Sequence, residues 1–361
     1  MILVVTPNPA VDVTYRVAEQ RIGETQRVLD VARRPGGKGL NVGRVLHTAG
    51  ASTRALLPLG GDAGRWIADA LDEFGLAHTD VPLRGATRTT VTVVDDVAHP
   101  TMFGEPGPDV SADEWTAVAA AIERALSDEP VDALVVSGSL PRGADPRVVA
   151  TWVASARAHG VVSVVDCSGD ALLAAAAAGA TICKPNAAEL LEATGAPDER
   201  SGALRLLEHG TAVVVVSRGA DGIAAHTTDG VVSVPAVQGI TGNPTGAGDA
   251  ATAGLVLALV ERHAPNAEHQ GRAADLVDAA VLRSAAAYGA GAVLRPVAGE
   301  VDSAAVHRFL ADPLLRPVTA PLAVPVTAPV AGPVTAPVAG PVPDPLHRPV
   351  PHRHDPSGSH A

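Results

Sequence analysis

Residues 242–255 read GNPTGAGDAATAGL. Glycines crowd the first half, and one carboxylate, Asp249, opens a run that is otherwise small or apolar. Glycines allow a tight backbone on which successive N–H groups converge. A helix starting there adds free N–H groups and the positive end of its dipole. Gly246, Ala247 and Gly248 therefore read as an anion hole, suited to a transferring phosphoryl group. A carboxylate in that first turn can take a proton from an attacking hydroxyl. The plainer alternative is an acid that merely favours a helix start.

Working outward, RPGGKGLNVGRVL (34–46) is a second glycine-rich turn feeding a helical pattern. No Ser or Thr follows its Lys, so it is not a Walker A loop. Lys38 supplies a cation and Asn41 an amide that both donates and accepts, a mixture that suits a sugar or sugar phosphate. An ordinary tight turn is the other reading. CKPNAAEL (183–190) follows a short strand and gathers Lys184, Asn186 and Glu189. Ligands of open α/β sheets collect at the carboxyl ends of strands. Asn186 and Glu189 also fit a helix N-cap and its capping-box partner, and both roles can hold together. VVVVSRGADG (213–222) ends a strand in Ser217 and a glycine turn, open to a nucleotide or to a plain αL turn. Asp12 after TPNPA, Arg88, and the serines of VSGSLPRG (136–143) are weaker candidates. The phosphate of a substrate needs cations, for which Arg88 and Lys38 are the natural pair. No histidine spacing fits a catalytic transition metal.

Strand-like runs at ILVV (2–5), ALVV (133–136), VVSVV (161–165) and AVVVV (212–216) are continuous and β-branched. They suit strands buried on both faces. Helical patterns lie between them, at about 112–126, 144–159, 186–194 and 247–262. The alternation predicts an α/β fold with a mostly parallel sheet. Residues 10–34 and 86–103 instead alternate polar and apolar, as antiparallel strands with one wet face do. They predict a small projecting sheet that covers a site or pairs with another subunit.

Composition narrows the function classes. Hydrophobic residues make up 47% of the 361, but aromatics only 2%, so the core rests on Ala, Val and Leu. A net charge of −12 argues against a nucleic-acid partner. The longest apolar run, AGLVLALV, is too short to span a membrane. The start, MILVVTPNPA, has no signal-peptide pattern, and two cysteines give no disulfide framework, so a cytoplasmic location is expected. Prolines recur at every fourth position from Pro313 to Pro341. Residues 313–361 therefore read as a disordered or polyproline-like tail after one domain at 1–312.

Taken in order, these stretches resemble the ribokinase-like (PfkB-type) sugar kinases. TPNPAVD, GGKGLNVGRVL, SGSLPRG, VVDCSG and KPNAAEL look most like the 1-phosphofructokinase and tagatose-6-phosphate kinase branch. The resemblance implies a three-layer α/β/α fold with a small β-sheet lid, often shared across a homodimer. It implies ATP and Mg²⁺ as cofactors, with a ketose phosphate, most of all fructose 1-phosphate, as acceptor. It makes Asp249 the base and Gly246, Ala247 and Gly248 the anion hole. Asp12, Gly37, Lys38, Asn41, Arg88 and Ser139 would hold the sugar phosphate. Lys184, Asn186, Glu189, Ser217, Gly219, Gly222 and Thr245 would line the nucleotide region, with Glu189 acting on magnesium through water. Arg218, where a Leu commonly stands, and Gly104, where relatives often place Asn, depart from the pattern.

Overall fold

The computed structural model describes residues 1–95, 100–262 and 276–312, and the backbone of 318–321. The four continuous apolar runs form β1 (Ile2–Val5), β8 (Ala133–Ser137), β9 (Val162–Asp166) and β11 (Val213–Ser217). With β4 (Thr53–Leu59), β5 (Ala77–Pro82) and β10 (Ile182–Cys183) they make a parallel block in the order β11-β10-β9-β8-β1-β4-β5. The antiparallel strands β12 (Ile223–His226), β13 (Gly230–Val234) and β14 (Val318–Pro321) extend it to ten strands.

Helices cover both faces, which is why these strands are apolar throughout. One layer holds α3 (Ala112–Asp128), α4 (Arg147–Ala158), α5 (Gly169–Ala177), α6 (Ala187–Thr194) and α7 (Glu199–His209). The other holds α1 (Lys38–Thr48), α8 (Ala247–Arg262) and α9 (Ala279–Val293). Helix α2 (Gly61–Phe74) packs nearer the lid, and α10 (Ser303–Leu310) follows α9. The core is aliphatic, with the Trp115–Trp152 pair, ring centroids 5.8 Å apart, as its main aromatic contact. Ser111 and Glu114 close the expected capping box of α3. This is the α/β fold with a mostly parallel sheet that the alternation predicts, in the three-layer α/β/α form that the resemblance implies.

The projecting sheet is also present, with strand order β3-β2-β6-β7. It contains β2 (Ala10–Arg16), β3 (Asp30–Gly36), β6 (Arg88–Val94) and β7 (Thr101–Gly104). Its outer pairs are antiparallel, but the central pair β2–β6 is parallel, unlike the all-antiparallel expectation. The reason is connectivity: α1, β4, α2 and β5 intervene and return the chain to the same end of the sheet.

Residues Met1–Leu322 form one compact unit. Within the stretch read as a tail, residues 318–321 pair with β13 as an edge strand, a place where proline is tolerated. Residues 313–317 and 322–361 lie outside the described residues, and with them the rest of that expectation. Among the described residues no helix is long and apolar enough to cross a membrane.

Candidate active site

The parallel strands deliver their carboxyl ends to one edge of the sheet, where chain reversals expose polar groups. Asp166 ends β9, Lys184 follows β10 and Ser217 ends β11. Asn186 and Ser217 pair as a parallel bridge, so these two strand ends touch. Against this edge stand the N-termini of α1, which begins at Lys38, and of α8, which carries Asp249 in its first turn. Together they line a cleft of about 720 Å³.

Two buried carboxylates, Asp166 and Asp249, occupy the floor of the cleft, and two lysines compensate them. Lys184 Nζ lies 2.9 Å from Asp166 Oδ2, with both side chains almost fully buried. Thr252 Oγ1 donates to the same oxygen at 2.8 Å. Lys38 Nζ lies 3.6 Å from Asp166 Oδ1 and 3.0 Å from Glu189 Oε1. Burial alone would raise the Asp166 pKa, but Lys184 and Lys38 hold it below the usual carboxylate range. Asp249 has no such close cation among the described residues. Its Oδ2 accepts a 2.8 Å bond from Asn41 Nδ2. Burial, reinforced by the Asp166 charge, pushes its pKa up to about 7, against Asn41, Lys38 and Lys184. A carboxyl so poised is a competent proton acceptor near neutrality.

The turn before α8 carries the oxyanion-type donors. Gly246 adopts φ +82°, and a Cβ there would stand 2.7 Å from the Ala298 side chain, so glycine is required. The Ala247 N–H already donates to Pro244 O at 3.1 Å. The N–H groups of Gly246, Gly248 and Asp249 have no acceptor among the described residues. Gly246 and Gly248 of the expected set thus keep free N–H groups and Asp249 adds a third, while the Ala247 N–H is bonded within the turn.

Glu189 serves two ends at once. Its Oε2 accepts from the Asn186 N–H at 3.0 Å while Asn186 Oδ1 accepts from the Glu189 N–H at 2.9 Å. Its Oε1 faces Lys38. Ser217, Gly219 and Gly222 line the same cleft, as do Ala236, Val237, Ala285 and Gly289. Thr245 does not; it is exposed, and its N–H donates to Asn243 Oδ1 at 3.0 Å.

Asp12, Gly37, Asn41, Arg88 and Ser139 fall outside the residues lining that cleft. Asp12 lies against Gly36, where a Cβ would come within 2.0 Å of its carboxylate. Burial pushes the Asp12 carboxyl up to about 6, against the nearby Arg88 and Arg44 charges and bonds from Thr90 and Gly37. Arg88 donates from Nε to Asn8 O at 3.2 Å and from Nη1 to Glu105 O at 3.1 Å. It lines a second, smaller hollow of about 430 Å³ with Glu105, Pro106 and Gly107. Ser139 is exposed just past the end of β8. Gly104 ends β7, its Cα side open toward Arg88 Nη1. Lys38 and Arg88 therefore do not converge: Lys38 is committed to the carboxylates of the larger cleft. Arg218 also turns away from the cleft, its guanidinium forked onto Glu199 at 2.8 and 2.5 Å.

Sequence reading assigned no role to Asp166, Thr252 or Asn8. Asp166 had a readable signal, a lone acid closing the β-branched run VSVVD. Asn8 has none beyond its place in TPNPA. Its Oδ1 is buried with no partner among the described residues, while its Nδ2 donates to Pro106 O at 3.1 Å.

Solved structures of similar fold include phosphofructokinase-2 from Escherichia coli in a tetrameric inhibited form. It is 26% identical with a TM-score of 0.75, over 86% of this chain and 98% of that one. A possible 1-phosphofructokinase from Thermotoga maritima is 25% identical with a TM-score of 0.72, over 90% and 100%. Ribokinase from Arabidopsis thaliana, complexed with ribose and ATP, shares the fold at 19% identity and a TM-score of 0.64, over 86% and 98%. The family model of the pfkB family carbohydrate kinases matches residues 6–302, which takes in every cleft residue named above. By that match, which spans most of its length, this chain belongs to the pfkB family of carbohydrate kinases.

Proposed function

We propose that the protein transfers the γ-phosphoryl group of ATP to a ketose phosphate, with fructose 1-phosphate giving fructose 1,6-bisphosphate and ADP. The observation that carries this reading is Asp249, a buried carboxylate near neutrality at the mouth of a turn with free amides. The acceptor hydroxyl, O6, gives its proton to Asp249 and forms a bond to the γ-phosphorus as the bond to the ADP oxygen breaks. The N–H groups of Gly246, Gly248 and Asp249 stabilise the charge on the transferring group. Positioning and electrostatics then do the catalysis, without a phosphoenzyme.

The nucleotide is assigned to the larger cleft, beside Lys184, Asn186, Glu189, Ser217, Gly219 and Gly222. The sugar phosphate is assigned to the lid side, with Asp12, Gly37, Asn41 and Ser139 toward its hydroxyls and Arg88 toward its phosphate. The orphaned Asn8 Oδ1 is a further acceptor for a hydroxyl there. Lys38 bridges the two regions rather than serving the sugar phosphate alone. Mg²⁺ fits the donors present: it takes one or two carboxylates besides phosphate and water, and Glu189 and Asp166 offer hard oxygens around Lys38. When bound it would neutralise phosphate charge. Exposed Ile22, Leu29, Val31, Met102 and Phe103 all fall within the lid segments and support a homodimer joined there. A cytoplasmic location agrees with this chemistry.

A second reading is transfer to O1 of fructose 6-phosphate or tagatose 6-phosphate, favoured by the likeness to phosphofructokinase-2. Purified protein with Mg·ATP and the three ketose phosphates separates them by kcat/KM. Highest kcat/KM with fructose 1-phosphate supports the first reading, and highest with a 6-phosphate supports the second. Saturable binding with no ADP release would point to a sugar-phosphate sensor on the same fold.

A further inference from the structure

Glu300, in the loop after α9, gathers three arginines from three parts of the fold. Its Oε2 accepts from Arg295 Nη2 at 2.8 Å and Nε at 3.2 Å, within the same loop. Its Oε1 pairs with Arg34 of lid strand β3 and faces Arg44 Nη2 of α1 at 3.9 Å. Arg44 is the unusual member. It is buried, with side-chain exposure of 9%, and it carries five N–H donors. Its other acceptor, Ala298 O, is 3.4 Å from Nη1, and its guanidinium lies 5.4 Å from the Phe74 ring centre. A buried cation this sparsely bonded is drawn to any carboxylate within reach.

Asp12 is such a carboxylate. It stands directly across β2–β3 from Arg34, and it feels the charges of Arg44 and Arg88. The loop that carries Glu300 also touches the reaction centre. A Cβ on Gly299 would lie 3.0 Å from both Asn41 Oδ1 and Arg44 Nη1, and Asn41 is the residue that bonds Asp249. Ala298 of the same loop backs Gly246.

We infer that Glu300 is a positioning residue for the sugar side of the site. By holding Arg34 and Arg44 together it seats the lid strand over α1 and leaves the Asp12 carboxylate free for a substrate hydroxyl. Without Glu300, two neighbouring cations face Asp12 alone, and Asp12 is captured by Arg44. None of Lys184, Asn186, Glu189, Ser217, Gly219 and Gly222, the residues assigned to the nucleotide, bonds Glu300, Arg34 or Arg44 among the described residues.

This inference rests on the kinase reading, so wild-type turnover on the best ketose phosphate is measured first. Its absence would sink that reading and not this one in particular. With a working substrate in hand, steady-state kinetics of Glu300→Gln and Arg34→Met are compared with wild type. The expected result is a rise in KM for the ketose phosphate of about tenfold in each, with KM for ATP within twofold. Glu300→Asp, which keeps the charge, recovers most of the loss. Equal rises in both KM values, or an unchanged KM for the sugar phosphate in folded Arg34→Met and Glu300→Gln proteins, overturns the assignment.

Discussion

Asn41 Nδ2 donates to Asp249 Oδ2 at 2.8 Å, joining the first turn of α1 to the first turn of α8 across 208 residues of chain. The bond fixes which Asp249 oxygen remains open. Asn41 occupies one lobe, and Oδ1 is left to meet a hydroxyl. Asn41→Ala should remove that orientation without removing the base. A fall in kcat of about tenfold to a hundredfold, with the acid limb of the pH profile moved up, is expected, since loss of a bond to the charged form raises a carboxyl pKa. Stopped assays across pH 5–9 check both.

The acid limb itself is a second prediction. Asp249 acts as a base only when ionised, and burial with the Asp166 charge raises it to about 7. Activity under kcat/KM conditions should fall tenfold per pH unit below about pH 7. Asp166, held low by Lys184 and Lys38, stays ionised through that range and adds no second limb there, whereas Asp12, raised by burial to about 6, steepens the fall below that pH. A profile flat down to pH 5 would contradict the assigned environment of Asp249.

Stability should move the opposite way. A carboxyl whose folded pKa is raised favours the folded state below its unfolded value near 3.8 and loses that contribution as pH rises through about 7. Asp249→Asn escapes the loss and also ends the repulsion with Asp166. Its Tm relative to wild type should therefore rise between pH 5 and pH 8, read by thermal denaturation at each pH. Asp166→Asn should behave differently, because it strands Lys184, buried to 2% exposure, without its carboxylate. A loss of about 3 kcal/mol is expected in urea denaturation.

Glu189 has two duties that one substitution separates. Glu189→Gln can still cap α6 but no longer neutralises Lys38. Glu189→Ala loses both. Each should raise KM for Mg·ATP about tenfold or more, while only Glu189→Ala should cost about 1 kcal/mol of stability from the lost cap. Parallel kinetics and urea melts distinguish the two effects.

Much of this arrangement was legible in the sequence because it follows from local rules. Continuous β-branched runs have to be covered on both faces, and that placed β1, β8, β9 and β11. The Asn186–Glu189 capping pair and the helix start at Asp249 are written in a few neighbouring residues. Long-range pairings were not legible. Nothing near Lys38 in the chain says that its amine meets Glu189 and Asp166 rather than a phosphate shared with Arg88. The parallel β2–β6 pair depends on a crossover that alternation cannot reveal. The helix α9 wall of the cleft is built from small residues, Ala285, Ala286 and Gly289, whose pattern carries no chemical signal.

The most direct measurement is single-turnover phosphoryl transfer by Asp249→Asn with saturating Mg·ATP and the preferred ketose phosphate. The account predicts a folded protein that binds both ligands near wild-type affinity and transfers phosphoryl more than about a hundredfold more slowly. Transfer at a near-normal rate would show that another group takes the proton, and the assignment of Asp249 would fall.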